Sequence, residues 1–415
     1  MIRFIHAADL HLDSPFKGLK QLHPTLFEAV YQSTFQSFQN IVTSAIENKI
    51  DFLLISGDIY DEENQSVKAQ AFFRDQMKRL EEADIMVYLL HGNHDFMGRN
   101  SLRIQMPPNV IIFDVKPETH LFKTRGNETV AISGFSYPTR WVKERMIEQY
   151  PKRHRQAEFH IGMLHGYLEG SASKEGVYAP FSINDLLDLS YDYWALGHIH
   201  KREILYSSPF ILYPGNIQGR NPNETGAKGA YLITMEKGSE STQEFISTAP
   251  IKWKEKRLSL ESVGSLQSLY AKIEEECERE AEENQKILLS ITLDEYLELP
   301  KDVIKKIQDG DLLAGINQSM GQHMVYLYKL ILAPKKEQLL FRYDESMQGS
   351  FEKSGQAFLD EEKYQDTLQD LFKNSIIRGR FSELENDKEL RDEILEAAKR
   401  VLFEDIAFEE GEETS

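Results

Sequence analysis

The sequence predicts an α/β fold: a sandwich built on mixed β-sheet, followed by a small α+β domain and a helical C-terminal segment. Three observations predict it. In the N-terminal part, short apolar runs of strand length alternate with stretches of helical spacing, and then give way to a run of strands. Past residue 258 the order becomes helix, strand, helix, strand. Beyond residue 353 only charged helical patterns remain.

Taken in order, strands are expected at 2–8, 52–57, 85–90, 109–113, 129–135, 160–166, 192–197, 210–215 and 230–235. Segment 24–49 carries Leu26, Phe27, Val30, Phe35, Phe38, Ile41, Val42, Ala45 and Ile46 at helical spacing, and 66–83 reads the same way. A charged helix is expected over 259–283, a strand over 286–294, a helical stretch over 302–316 and a strand over 324–333. Two charged helical segments span 353–408, with Phe358, Leu368, Leu371, Phe372, Ile376 and Ile377 near helical spacing. They could pack on this chain's own core or on a partner. The resulting organisation is 1–257, 258–340 and 341–415.

Charge sharpens the boundary. The net charge is −19, but residues 1–258 hold 29 Lys and Arg against 31 Asp and Glu, whereas the rest holds 19 against 36. Eleven of the twelve histidines lie in the first 200 residues. Chemistry is therefore expected early in the chain. The acidic part is a poor wrapper of a polyanion, because like charges repel. No apolar run is long enough to span a bilayer, and 1-MIRFIHAADLH-11 lacks the apolar core of a signal peptide. The one cysteine, Cys277, lies in a charged helical stretch and is read as incidental; with no intrachain disulfide, a cytoplasmic location is expected.

The strand ends carry the chemistry. Apolar runs close on 9-DLHLD-13, 57-GDIYDEE-63, 92-GNHD-95, 163-MLHG-166 and 197-GHIH-200. Ligands of α/β folds gather outside the carboxyl ends of strands, so five such ends point at one place. Asp9, His11, Asp58, Asn93, His165, His198 and His200 offer oxygen and imidazole nitrogen without thiolate, which suits Mn²⁺, Fe²⁺ or Zn²⁺. They are too many for one tetrahedral ion and suit two ions sharing a carboxylate, the arrangement that clamps an in-line phosphoryl displacement. The Asp9-x-His11 and His198-x-His200 spacings place each pair on one face of an extended segment.

The ordered set DxH, GDxxD, GNHD, a lone His and GHxH resembles the calcineurin-like metallophosphoesterase superfamily over residues 1 to about 236. HAADLHLDSPF, LISGDIYDEE, LLHGNHD, ALGHIHKRE and YPGNIQGR are similar to the SbcD-type DNA repair nucleases, above all to their YhaO-type branch. The resemblance implies a four-layer sandwich of two mixed sheets flanked by helices, with a small α+β capping domain at 258–340 and a helical partner-binding segment at 341–415. It implies two divalent metal ions, foremost Mn²⁺: one held by Asp9, His11 and His200, the other by Asn93, His165 and His198, with Asp58 between them. His94 would meet the phosphate and help the leaving oxygen depart, with Asp95 orienting its ring. His91 is left as structural. Some relatives have histidine where this chain has Asp61, which is read as a support or turn cap and not as catalytic.

The implied activity is DNA exonuclease, a hydrolase working in DNA repair. The implied partners are DNA, a coiled-coil SbcC-like ABC-type ATPase and a second copy of the chain, with no membrane. Basic patches at 140-RWVKER-145, 152-KRHR-155 and 201-KR-202, with Arg220, are candidates for phosphate contact. Two other functions compete. A small-molecule or cyclic-nucleotide phosphodiesterase would keep the chemistry, but it needs no long C-terminal extension. A non-catalytic regulatory partner of an ATPase would not need a complete ligand set.

Overall fold

A computed structural model describes residues 1–16, 24–61, 66–98, 104–170, 178–281, 285–320, 324–333 and 353. The helical segment expected at 341–415 lies outside the described residues, apart from Lys353. The chain divides into two compact units, Met1–Ile331 and Leu332–Ser415.

In chain order, β1 (Ile2–Ala7) leads to helices α1 (Pro24–Tyr31) and α2 (Ser33–Glu47), then β2 (Phe52–Ser56), α3 (Val67–Glu82), β3 (Met86–Leu90) and β4 (Val110–Ile112). These four strands pair in parallel in the order β1-β2-β3-β4. A second sheet follows: β5 (Glu118–Lys123), β6 (Thr129–Gly134), β7 (Phe159–His165), α4 (Ile183–Asp188), β8 (Tyr193–Gly197), β9 (Glu203–Ser207) and β10 (Phe210–Tyr213). Its strand order is β5-β6-β7-β8-β10-β9, parallel in the middle and antiparallel at both edges. The chain then returns to the first sheet with β11 (Gly229–Met235) and β12 (Thr242–Ser247), added antiparallel beside β1. The result is two mixed sheets flanked by helices, as the family resemblance implies.

Side-chain alternation builds the layers. Phe4, Phe52, Leu54 and Ile233 of the first sheet meet Ile132, Ile161, Met163 and Tyr193 of the second in one buried cluster. Their neighbours Ile5, Leu53, Ile55 and Leu89 face the other way, onto Phe38 and Ile41 of α2 and Phe73 and Leu80 of α3. On the far side of the second sheet, Leu164, Trp194 and Tyr213 are covered by Tyr150, Phe181 and Leu186. Every residue of β2, β7 and β8 is buried. Such strands can end only where the backbone finds other partners, and that is where the polar residues sit.

The third sheet comprises β13 (Ile251–Ser259), β14 (Lys286–Asp294) and β15 (Val325–Leu332), with α5 (Leu266–Glu280), α6 (Lys301–Gln308) and α7 (Asp311–Met320). It begins at Ile251, so the change of charge near residue 258 falls inside β13. Two expectations are corrected here. The charged helix begins at Leu266, behind a Ser265 capping box, and not at residue 259. The helical stretch 302–316 is two helices, parted at Gly310 with φ 80°. Cys277 faces inward, fully buried, and burial pushes its thiol up to about 11. Among the described residues, no helix is long and apolar enough to cross a membrane.

Candidate metal centre

The parallel strands β1, β2, β3, β7 and β8 end on one side of the sandwich, and all seven expected metal ligands follow or close them. Past β1 the chain runs alongside the loop after β2. The N–H of Asp9 donates to Gly57 O over 3.1 Å, that of His11 to Asp58 O over 3.0 Å and that of Leu12 to Ile59 O over 3.0 Å. This pairing corrects the expectation of extended DxH and HxH segments. Asp9, His11 and His198 have φ of 51°, 42° and 100°, and Asp58 has φ of 51°. These are left-handed values, which cost a non-glycine residue about 1–2 kcal/mol each. The ligands converge because tight turns aim them, not because a strand repeats every two residues.

His11 and His200 meet edge to face, their Nε2 atoms 3.0 Å apart. Each ring turns its other nitrogen to a carboxylate. His200 Nδ1 donates to Glu224 Oε1 over 2.8 Å. His11 Nδ1 lies 3.1 Å from Asp61 Oδ1, off the line of a good hydrogen bond and with no other acceptor among the described residues. A proton on each Nδ1, beside its carboxylate, turns the two Nε2 lone pairs toward each other. Burial, and after it the Arg220 guanidinium, holds His11 well below the usual imidazole range.

The other half repeats the problem. His165 Nδ1 donates to Ser56 O over 2.9 Å, so its Nε2 is an acceptor, yet it lies 2.9 Å from Asn93 Oδ1 and 3.5 Å from Asp58 Oδ2. The His198 ring stands 5.2 Å from that of His165, and its backbone N–H donates to both oxygens of Asp9 at 3.1 Å. Burial keeps the His198 imidazole well below its usual range. Three triads have ligand atoms within 4.8 Å of one another: Asp9, His11 and His200; His11, Asp58 and His94; and Asp9, Asp58 and His165. Nitrogen and oxygen donors crowded together in a buried, thiolate-free cluster fit divalent cations. Close walls fit too: a Cβ on Gly92 would come within 2.3 Å of Asp58 Oδ1 and 2.8 Å of His165 Nε2.

The GNHD turn divides its labour differently from the expectation. The His94 N–H donates to Asp58 Oδ1 over 2.9 Å, and His94 Nδ1 donates to the carbonyl of Asp61 over 2.7 Å. Asp95 does not orient the His94 ring. Its Oδ2 accepts from Ile59 N at 2.9 Å and lies 3.1 Å from His91 Nδ1, while its Oδ1 accepts from Gly92 N at 2.8 Å. Burial raises the Asp95 carboxyl, but His91 and the two N–H groups outweigh it, and the group stays below the usual carboxylate range. Asp95 thus ties the turn after β2 to the turn after β3.

Glu224 was not expected at the site. It lies in 216-NIQGRNPNET-225, where the only sequence signal is an acid four residues after Arg220. Arg220 itself turns inward onto Asp61 and is not a free surface cation. Two other arginines of the basic patches are also occupied: Arg145 pairs with Glu169 and Asp185, and Arg153 with Asp192. Lys143, Lys152, Arg155, Lys201 and Arg202 are exposed. Lys201 and Arg202 line a cavity of about 630 Å³ beside His200.

The profile of the family described as calcineurin-like phosphoesterase matches residues 2–202. The chain is 35% identical over 413 residues to the "Uncharacterized metallophosphoesterase YhaO" of Bacillus subtilis (strain 168), covering 97% of this chain and 98% of that one. It is 26% identical over 367 residues to the DNA double-strand break repair protein Mre11 of Methanocaldococcus jannaschii, covering 79% of this chain and 94% of that one. Among solved structures, a dimetal phosphatase from Danio rerio aligns with 60% of this chain and 99% of its own, at 12% identity and a TM-score of 0.37.

Proposed function

We propose, from the premise that this chain belongs to the calcineurin-like metallophosphoesterase family, that it is a metal-dependent phosphodiesterase that degrades DNA from its ends. The observation that carries the chemistry is the crowding of metal-ligating atoms in a buried cluster: His11 Nε2 and His200 Nε2 stand 3.0 Å apart, and His165 Nε2 and Asn93 Oδ1 stand 2.9 Å apart. Asp9, His11 and His200 would hold one divalent ion, Asn93, His165 and His198 the other, and Asp58 would serve both. Such ions, Mn²⁺ foremost, supply Lewis acidity toward the phosphoryl oxygens and a nucleophile at neutral pH.

The chain's own residues do the rest. His94 is fixed at Nδ1 by the Asp61 carbonyl, which leaves Nε2 to deliver a proton to the departing oxygen when the ring is protonated. The His94 N–H on Asp58 couples the position of that ring to the shared carboxylate. The likeness to a double-strand break repair protein runs well past the phosphoesterase profile, to 79% of this chain, and this favours DNA over a small phosphodiester. Lys201 and Arg202, exposed beside His200, suit a polyanion. A coiled-coil ABC-type ATPase in the cytoplasm is the proposed partner, and the chain is proposed to pair with a second copy.

The test is hydrolysis by the purified chain with Mn²⁺ of linear duplex, closed circular duplex and a cyclic nucleotide, each with and without the ATPase. Shortening of the linear duplex from its ends supports the reading. Cleavage of the cyclic nucleotide with all DNA left intact would overturn it.

A further inference from the structure

Beyond the ligands themselves, the structure holds a second ring of polar groups on one side of the centre. Glu224 accepts three hydrogen bonds: from His200 Nδ1 at 2.8 Å, from Asn216 Nδ2 at 2.6 Å and from the backbone of Arg220 at 2.8 Å. Asp61 receives the Arg220 guanidinium and Ser14 Oγ, and faces His11 Nδ1. Arg220 Nη2 stands 4.0 Å from Glu224 Oε1. One guanidinium therefore lies between two carboxylates, one of which accepts from His200 and the other of which faces His11. The buried Lys228 completes the ring, donating from Nζ to the backbone carbonyl of His200 over 2.9 Å.

We infer that Arg220, Asp61 and Glu224 form an outer clamp that sets the metal position of His11 and His200 and leaves the position of Asn93, His165 and His198 untouched. The reason is directional. A carboxylate at Nδ1 keeps the proton there and points Nε2 inward, and it makes the ring a better donor. Two unpaired carboxylates beside two rings would repel each other; the guanidinium between them holds both in place. Glu224 and Arg220 are positioning residues, since they act through the rings. The inference rests on the dinuclear reading above and adds that the two positions are supported separately.

The experiment is a Mn²⁺ titration of the full chain, followed by calorimetry and electron paramagnetic resonance, with no substrate present. The parent should take up two ions and give the spectrum of a coupled pair. Glu224→Ala should weaken one of the two ions by about 10–100-fold and leave an isolated Mn²⁺ signal at intermediate loading. Glu224→Gln, whose amide oxygen still accepts from Nδ1, should recover most of that loss. If Glu224→Ala does not fold, Arg220→Lys and Arg220→Gln carry the test, each with a weakened single ion beside an unchanged one. Two ions bound by these variants with parental affinities would overturn the clamp, as would equal weakening of both ions. A parent that binds one ion, weakened by Glu224→Ala, would keep the clamp and sink the dinuclear reading instead.

Discussion

The backbone N–H of His94 donates to Oδ1 of Asp58 across 2.9 Å. One carboxylate thus carries two duties: it sits between the two halves of the cluster, and it anchors the turn that bears the proposed acid.

Asp58→Asn tests the first duty. A neutral amide can keep a hydrogen bond to His94 N–H but cannot balance two cations. Hydrolysis of bis-nitrophenyl phosphate should fall by at least about 10²-fold, the scale on which loss of an electrostatic group at a reacting centre is felt. Elemental analysis should find fewer than two ions per chain. Full metal content with a parental rate would remove Asp58 from its shared position.

His94→Ala should behave differently. Its ring bonds to the Asp61 carbonyl and not to a ligand side chain, so metal content should stay full while kcat drops by about 10²–10⁴. Loss of an ion in this variant would make His94 a ligand.

Asp95→Asn should damage stability more than chemistry. The side chain is 1% exposed and holds His91 and two backbone N–H groups. Breaking a buried pair of this kind costs about 3–5 kcal/mol, so chemical denaturation should show a clear loss. Much of it should be shared with His91→Gln in a double-mutant cycle. A variant with parental stability and a selective fall in kcat would restore Asp95 to a direct role.

Acid should weaken the fold through His6. The ring is fully buried, 2.9 Å from Tyr193 Oη and 3.0 Å from the Leu196 carbonyl, and burial pushes it down to about 3. Its folded pKa lies below its unfolded value, so the unfolded chain binds more protons between the two. The stability is complete above about pH 6.5 and is lost as pH falls toward 3. At pH 5 the loss amounts to about 2 kcal/mol. Thermal melts of chelator-treated protein from pH 5 to 7.5 should show a shallower slope for His6→Asn than for the parent. Equal slopes would show that His6 does not titrate in this way.

How much of this the sequence shows depends on the kind of signal. The buried strands announce themselves as apolar runs, and Asp9, His11, Asp58, Asn93, His165, His198 and His200 stand out because each follows or closes such a run. The edge strands β5, β9 and β12 do not. Their faces are half exposed, so Glu118–Lys123, Glu203–Ser207 and Thr242–Ser247 mix charge with apolar residues and carry no clean period. The lysine-rich Ile251–Ser259 hides for the same reason. At the site, the ligands are legible and their supports are not. Whether Asp95 turns to His94 or to His91 is decided by the path of a turn, which no spacing rule encodes. Glu224 reaches His200 across 24 residues of chain, and nothing in its neighbourhood marks it as more than a loop acid.

The left-handed backbone at Asp9, His11, Asp58 and His198 has a consequence for how such a chain can change. At His11 and His198 glycine would adopt the observed φ without steric cost, and replacing the ring would also relieve the crowding of like donors. At Asp9 and Asp58 that gain is offset, because each carboxylate accepts a backbone N–H, from His198 and from His94. Stability and activity therefore pull in opposite directions at the two histidines. A lineage released from the need to hydrolyse anything would be expected to lose its ligands here first and to gain robustness as it did so. Retention of both in a relative is then a sign that catalysis is still being selected, and a selection for thermal tolerance alone, run on this chain in the laboratory, should return substitutions at these same two places.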